Sequence, residues 1–177
     1  MKILVVVDMQ NDFINGSLGT KEAQAIVDNV VNEIEQGNYD IIYVTRDTHG
    51  KNYLETREGH FLPVEHCIEN TPGWNLNSEI DNALWHTKAT YVRYINKPTF
   101  GSEQLVDELK HTVDVTNDCI TFVGLCTDIC VVSNALMVKA ALPETNIYVK
   151  ADCCAGVTPE KHEAALETMR SCQIEVI

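Results

Sequence analysis

Six short runs rich in Val and Ile recur along the chain: "KILVVV" (2–7), "DIIYVT" (40–45), "TYVRYI" (90–95), "CITFVG" (119–124), "NIYVKA" (146–151) and "IEVI" (174–177). Such near-continuous apolar runs, lacking the strict alternation of a half-solvated sheet, suit parallel strands buried on both faces. Parallel neighbours need long crossovers, so the intervals between the runs must themselves be structured.

The intervals carry helical spacing at "EAQAIVDNVVNEIEQG" (22–37), "EQLVDELKH" (103–111), "DICVVSNALMVKAAL" (128–142) and "PEKHEAALETMRS" (159–171). Gly37 is a natural helix stop, and Thr158 followed by Pro159 is a natural helix start. The resulting βαβα order predicts a three-layer αβα fold: an open six-stranded parallel sheet, Rossmann-like, with helices on both faces and right-handed crossovers. With 177 residues, 45% of them hydrophobic, one domain spanning residues 1–177 can bury a full core.

Residues 46–89 break the alternation with a polar, His- and Glu-rich stretch, weakly periodic until "LNSEIDNALW". A long loop inside a compact domain is usually functional, and the segment at about 46–75 is the candidate metal and substrate loop.

The charge balance narrows the partners. Twenty-six acidic against 13 basic residues give a net charge of -13, with no Lys/Arg cluster to follow a phosphate backbone or an anionic membrane. Nucleic-acid and membrane partners are not expected. The opening apolar run is cut off by Asp8, too short for a signal-peptide core or a membrane span. Seven cysteines, an odd number with Cys153 and Cys154 adjacent, fit free thiols in a reducing, cytoplasmic compartment better than a disulfide framework.

Ligands of open parallel sheets sit at the carboxyl ends of the strands. Asp8 follows the first run, Asp47 and His49 the second, Lys97 the third, and Cys126 and Cys130 the fourth. A thiolate forms more readily beside a cation and at a helix N-terminus, where Cys130 falls. Asp8 could accept the thiol proton and return it to a leaving amine, Lys97 could favour the thiolate, and backbone N–H groups near Cys126 and Cys130 could hold an oxyanion. Inert packing remains the competing explanation for either cysteine; a metal pair is disfavoured by the spacing and by the absence of a second pair.

Asp47 and His49, two apart in an extended segment, face the same side. With His66 from the far end of the loop they offer three N/O donors with open positions, which suits zinc or another divalent ion.

In order and spacing, "VDMQNDF" (7–13), "TRDTHG" (45–50), "LPVEHCIENTPGW" (62–74), "NKPTFGS" (96–102), "VGLCTDICV" (123–131) and "KADCCAGVTPEKH" (150–162) resemble the motifs of the isochorismatase-like cysteine hydrolases, and within them the nicotinamidase/pyrazinamidase branch. The resemblance runs from the first strand to the last. It implies an Asp8–Lys97–Cys130 triad, a cis peptide before Cys126, an oxyanion hole from the N–H groups of Cys126 and Cys130, and amide hydrolysis through a thioester.

It also implies a divalent metal, zinc first with manganese or iron as alternatives, on Asp47, His49 and His66. Glu58, or failing it Glu55, would supply the additional carboxylate found in some members. Phe13 matches one aromatic of the substrate pocket, whereas Leu62 replaces the other and one extra residue precedes the third ligand. The implied activity is hydrolysis of a small-molecule amide, nicotinamide to nicotinate and ammonia, by a homo-oligomer. A metal-free carbamoyl amidase of the N-carbamoylsarcosine type, and a non-catalytic thiol-redox or binding protein using Cys126, Cys153 or Cys154, are the alternatives.

Overall fold

The computed structural model describes residues 1–177. Six strands, β1 (Lys2–Val7), β2 (Ile41–Asp47), β3 (Tyr91–Lys97), β4 (Cys119–Leu125), β5 (Asn146–Ala155) and β6 (Glu175–Val176), form one parallel sheet in the order β3-β2-β1-β4-β5-β6. The order reverses between β1 and β4, the place where a doubly wound sheet opens a crevice above its strand ends.

Alternate side chains of β1 supply two cores. Leu4 and Val6 join a cluster of 22 buried residues on one face, and Ile3, Val5 and Val7 join 20 on the other. Helix α3 (Val27–Gln36) packs against α5 (Ser78–His86) over the first face, and α6 (Glu103–Thr112), α7 (Val132–Ala141) and α8 (Pro159–Ser171) cover the second. All five apolar side chains of Ile3–Val7 have no exposure, and burial of each contributes about 1.5–3 kcal/mol.

The periodic segments fold close to where their patterns lie, with instructive departures. After a short α1 (Asn11–Ile14), the 22–37 stretch is two helices, α2 (Lys21–Ala25) and α3, broken at Ile26. Gly37 closes α3, but the left-handed residue is Asn38, at φ 52. Thr158 caps α8 by accepting from the Lys161 N–H. Strand β3 is an edge strand, so Tyr91 and Tyr94 are exposed despite its apolar sequence. The 46–89 interval is more ordered than its weak periodicity suggests. It contains a 3-10 turn at Tyr53–Glu55, α4 (Arg57–Phe61) and α5, with Thr56 and Asn77 as side-chain caps. No helix is long and apolar enough to cross a membrane.

Candidate active site and metal centre

Strand geometry brings the chemical groups together. Asp47 and Lys97 are register partners at the ends of β2 and β3, so their side chains leave the sheet on the same side. Asp8, the residue after β1, lies in the left-handed region, φ 50, a conformation that residues with a Cβ hold only when their surroundings require it. At the end of β4, Gly124 has φ 117, and a Cβ there would stand 2.1 Å from the Val7 carbonyl oxygen. Only glycine lets β4 approach β1 this closely. The next bonds carry the chain through a cis Leu125–Cys126 peptide into a π-helical turn, Thr127–Val131, that precedes α7.

The Lys97 ammonium is the hub. It lies 2.6 Å from Asp8 Oδ2, 3.4 Å from Asp47 Oδ1 and 3.4 Å from Cys130 Sγ, and donates to the Thr99 carbonyl at 3.0 Å. Asp8 is 0% exposed, Lys97 1% and Cys130 5%, so the three interact away from bulk water. Asp8 Oδ1 accepts from the Thr45 hydroxyl at 2.7 Å, while Oδ2 lies against the ammonium.

Burial opposes the charge on Lys97, but Asp8, Cys130 and Asp47 outweigh it and hold the ammonium above its ordinary pKa. Burial pushes the Asp8 carboxyl up against the pull of Lys97. Burial and then the Asp8 charge push the Cys130 thiol well up, again against Lys97. The resting thiol is therefore protonated and needs a base beside it.

In the π-helical turn, the Cys126 carbonyl accepts from the N–H groups of Ile129 at 3.0 Å and Val131 at 3.1 Å, passing over that of Cys130. The Cys126 N–H donates to no protein acceptor. Two backbone donors beside the sulfur are the elements of an oxyanion hole. The Cys126 thiol itself is pushed up to about 12 by burial and by Asp128. The buried Cys153 thiol is likewise pushed up to about 12, and its neighbour Cys154 is also raised, both by burial first. These are protonated, poorly reactive sulfurs.

Donor atoms of Asp47, His49, Glu58 and His66 all lie within 4.8 Å of one another, a cluster without Glu55. His49 Nε2 lies 2.8 Å from Asp47 Oδ2 and 3.6 Å from Glu58 Oε1; His66 Nε2 lies 3.5 and 3.7 Å from the same two oxygens. Four donors around one ion at about 2.0–2.2 Å stand roughly 3.3–3.6 Å apart. The His66 Nδ1 is 2.8 Å from the Val64 carbonyl, and donation there leaves Nε2 with a free lone pair, the arrangement that metal-ligating histidines favour. Burial and the Asp47 charge raise the Glu58 carboxyl. Two carboxylates and two imidazoles thus converge where a divalent cation would relieve the repulsion, and the residues fit such an ion.

Several contributors lie outside the residues singled out from sequence. Gln10, 0% exposed, donates to the carbonyls of Asp47 and Trp74 at 2.8 Å and accepts from the Asp47 N–H at 2.7 Å. Tyr53, also fully buried, packs against His49 at 4.8 Å and His66 at 4.9 Å between ring centroids, and its hydroxyl donates to the Leu62 carbonyl at 3.0 Å. Asn134 donates to the carbonyls of Cys130 and Phe100 and accepts from the Ser102 N–H, tying the turn that carries Cys130 to the loop after β3. Of these only Asn134 left a sequence signal: a polar side chain in an apolar run, four residues after Cys130 and so on the same helical face.

The sulfur of Cys130 and the metal-type cluster border one cavity of about 290 Å³, walled by Phe13, Leu62, Phe100 and Ile129. That volume is at the small end of ligand sites, which suits a one-ring molecule. Phe13 packs on His66 with ring centroids 5.5 Å apart. Leu62 also lines the cavity, while its neighbour Phe61 points to solvent, 76% exposed.

A doubly wound parallel sheet, with a thiol, an ammonium and a carboxylate gathered beside a four-donor cluster at its switch point, defines a Rossmann-like α/β protein equipped for hydrolysis. The chain belongs to the isochorismatase family: the family model described as the Isochorismatase domain matches residues 2–177. It is 28% identical to a nicotinamidase of Schizosaccharomyces pombe, over 98% of this chain and 91% of that one. Its fold superposes on the nicotinamidase/pyrazinamidase of Bacillus subtilis with a TM-score of 0.83, at 26% identity over 99% and 98% of the two chains. The pyrazinamidase of Pyrococcus horikoshii, crystallised in complex with zinc, matches with a TM-score of 0.77 at 27% identity, again over 99% and 98%.

Proposed function

We propose that the protein is a metal-assisted cysteine amidohydrolase that converts a small aromatic amide, nicotinamide first, to its acid and ammonia. The observation that carries this reading is the Lys97 ammonium set between Asp8, Asp47 and the Cys130 sulfur beside the cavity. The relatives' names support the substrate class.

Asp8 takes the proton of the Cys130 thiol as the sulfur attacks the amide carbon, and Lys97 stays charged throughout, stabilising the anionic partners. The N–H groups of Cys126 and Cys130 receive the negative oxygen. Asp8 then gives its proton to the departing amine, releasing ammonia and leaving a thioester. A water molecule, deprotonated by Asp8, attacks the thioester; collapse frees the acid and returns the proton to sulfur. Amide plus water gives acid plus ammonia, with every group restored.

Asp47, His49, Glu58 and His66 would hold a divalent ion, with zinc the first candidate on the strength of the Pyrococcus horikoshii complex. Such an ion supplies a Lewis-acidic anchor for a ring nitrogen. Phe13 offers its ring face to a planar substrate, and the apolar cavity wall excludes excess water. The cluster argues against a metal-free carbamoyl amidase, and the raised thiols of Cys126, Cys153 and Cys154 argue against a redox role.

The test is ammonia release from nicotinamide, pyrazinamide and N-carbamoyl amino acids by the metal-loaded protein. Turnover is expected for the two aromatic amides, and turnover confined to the carbamoyl compounds would overturn the assignment.

A further inference from the structure

The active-site cavity does not end at its own rim. A second groove of about 540 Å³ runs between the π-helical turn and α8, and the two share Ile129 and Lys161. The groove floor is apolar, from Ile129, Val132, Ala164 and Ala165. Lys161 stands at the junction, in the first turn of α8, and is the single Lys or Arg that lines the cavity. No carboxylate lies within ion-pairing distance of its ammonium, and no hydrogen-bond acceptor in the protein takes its protons. The one acidic residue lining that groove, Asp128, turns one oxygen to the backbone, its Oδ1 accepting from the Val157 N–H at 2.9 Å.

A neutral one-ring amide makes no use of this cation. Its amide must face Cys130 and its ring must lie along Phe13, and because Ile129, Val157 and Lys161 line the same small cavity, a ring substituent is within reach of the ammonium. We propose that Lys161 is a specificity-determining residue, reading an anionic substituent on the end of the substrate remote from the scissile amide, so that the preferred substrates are aromatic amides bearing a carboxylate. The chain's net charge of -13 disfavours anionic ligands at long range; an unpaired ammonium at the mouth offsets that locally. This inference rests on the amidase assignment for the orientation of the ligand, and it names the substrate class of the same site.

Binding separates the two ideas. Titration calorimetry with the metal-loaded protein would compare pyridine-3-carboxylate with a pyridine dicarboxylate, neither of which can turn over. The wild type should bind the dicarboxylate more tightly, and Lys161→Ala should lower that preference about fivefold, the upper range for a solvent-exposed charge pair. Lys161→Arg should retain it and Lys161→Glu should lower it further. A preference ratio equal in wild type, Lys161→Ala and Lys161→Glu would overturn the proposal. Ammonia release, measured in parallel with nicotinamide and with a carboxylated nicotinamide, reads the chemistry. No turnover of either would overturn the amidase assignment, and with it the substrate class, even with the binding preference intact, whereas turnover of both with a preference ratio that does not depend on Lys161 would overturn only the role of Lys161.

Discussion

Lys97 Nζ lies 3.4 Å from Asp47 Oδ1, while the other oxygen of the same carboxylate faces both histidines of the metal-type cluster. Asp47 therefore belongs to two constellations. Burial opposes its charge, but the contacts with His49 and His66, followed by the charge of Lys97, hold its carboxyl well below the usual carboxylate range.

Replacing this shared group should damage both halves. Asp47→Asn is expected to weaken divalent metal binding by at least about 100-fold, beyond the usual effect of losing a residue that only supports a ligand. Asp8→Asn should retain the metal, because Asp8 is not among the four clustered donors and meets Asp47 through Lys97. Chelator competition on the two variants checks the contrast, and equal metal loss in both would mean that Asp47 acts through the fold and not as a ligand.

Cys130→Ala should reduce kcat for the aromatic amides by about 10⁴-fold or more, since removing a nucleophile leaves only binding and oxyanion stabilisation. Cys126→Ala should be far milder, because the proposed contribution of that residue is its backbone N–H. Single-turnover kinetics with mass detection of an acyl adduct on the protein would check the assignment; an adduct persisting in Cys130→Ala would refute it.

The buried Gln10 amide satisfies both the N–H and the carbonyl of Asp47. Gln10→Ala would strand two buried backbone groups and one carbonyl of Trp74, at about 1–3 kcal/mol for each left without a partner. A loss of about 3 kcal/mol or more in urea unfolding is expected, together with weakened metal binding. A change below about 1 kcal/mol would show that water replaces the side chain at no cost.

Much of this arrangement was legible because it obeys period and place. Apolar runs mark the strands, and in a doubly wound sheet their ends converge, so Asp8, Asp47, Lys97 and Cys130 could be collected by position alone. His66 and Glu58 lie far along a loop and carry no period; His66 entered as a third N/O donor able to complete the set of Asp47 and His49, and Glu58 only by family likeness. Gln10 and Tyr53 escaped for a physical reason. Each acts through contacts between segments distant in sequence, Gln10 with Asp47 and Trp74, Tyr53 with His66 and Leu62. No local pattern encodes such pairings. The exposed face of β3 escaped as well, because its sequence resembles a central strand and only the strand order makes it an edge.

Tyr53 offers the sharpest separation of packing from hydrogen bonding in the loop. Its ring fills the space against both imidazoles, and its hydroxyl donates to the Leu62 carbonyl, four residues before His66. Tyr53→Phe keeps the ring and loses one part-buried hydrogen bond, while the Leu62 carbonyl still accepts from the Val64 N–H at 2.8 Å, so a stability loss of about 0.5–1.5 kcal/mol is expected. Tyr53→Ala removes the ring as well, leaves a cavity worth about 3–5 kcal/mol, and frees both histidines to rotate. Metal affinity should therefore fall little in Tyr53→Phe and by about 10–100-fold in Tyr53→Ala, as for a lost supporting contact. Metal titration with unfolding measured on the same samples checks this. If the two variants lose metal affinity equally, the hydroxyl, through Leu62 and the segment leading to His66, positions the ligands, and ring packing does not.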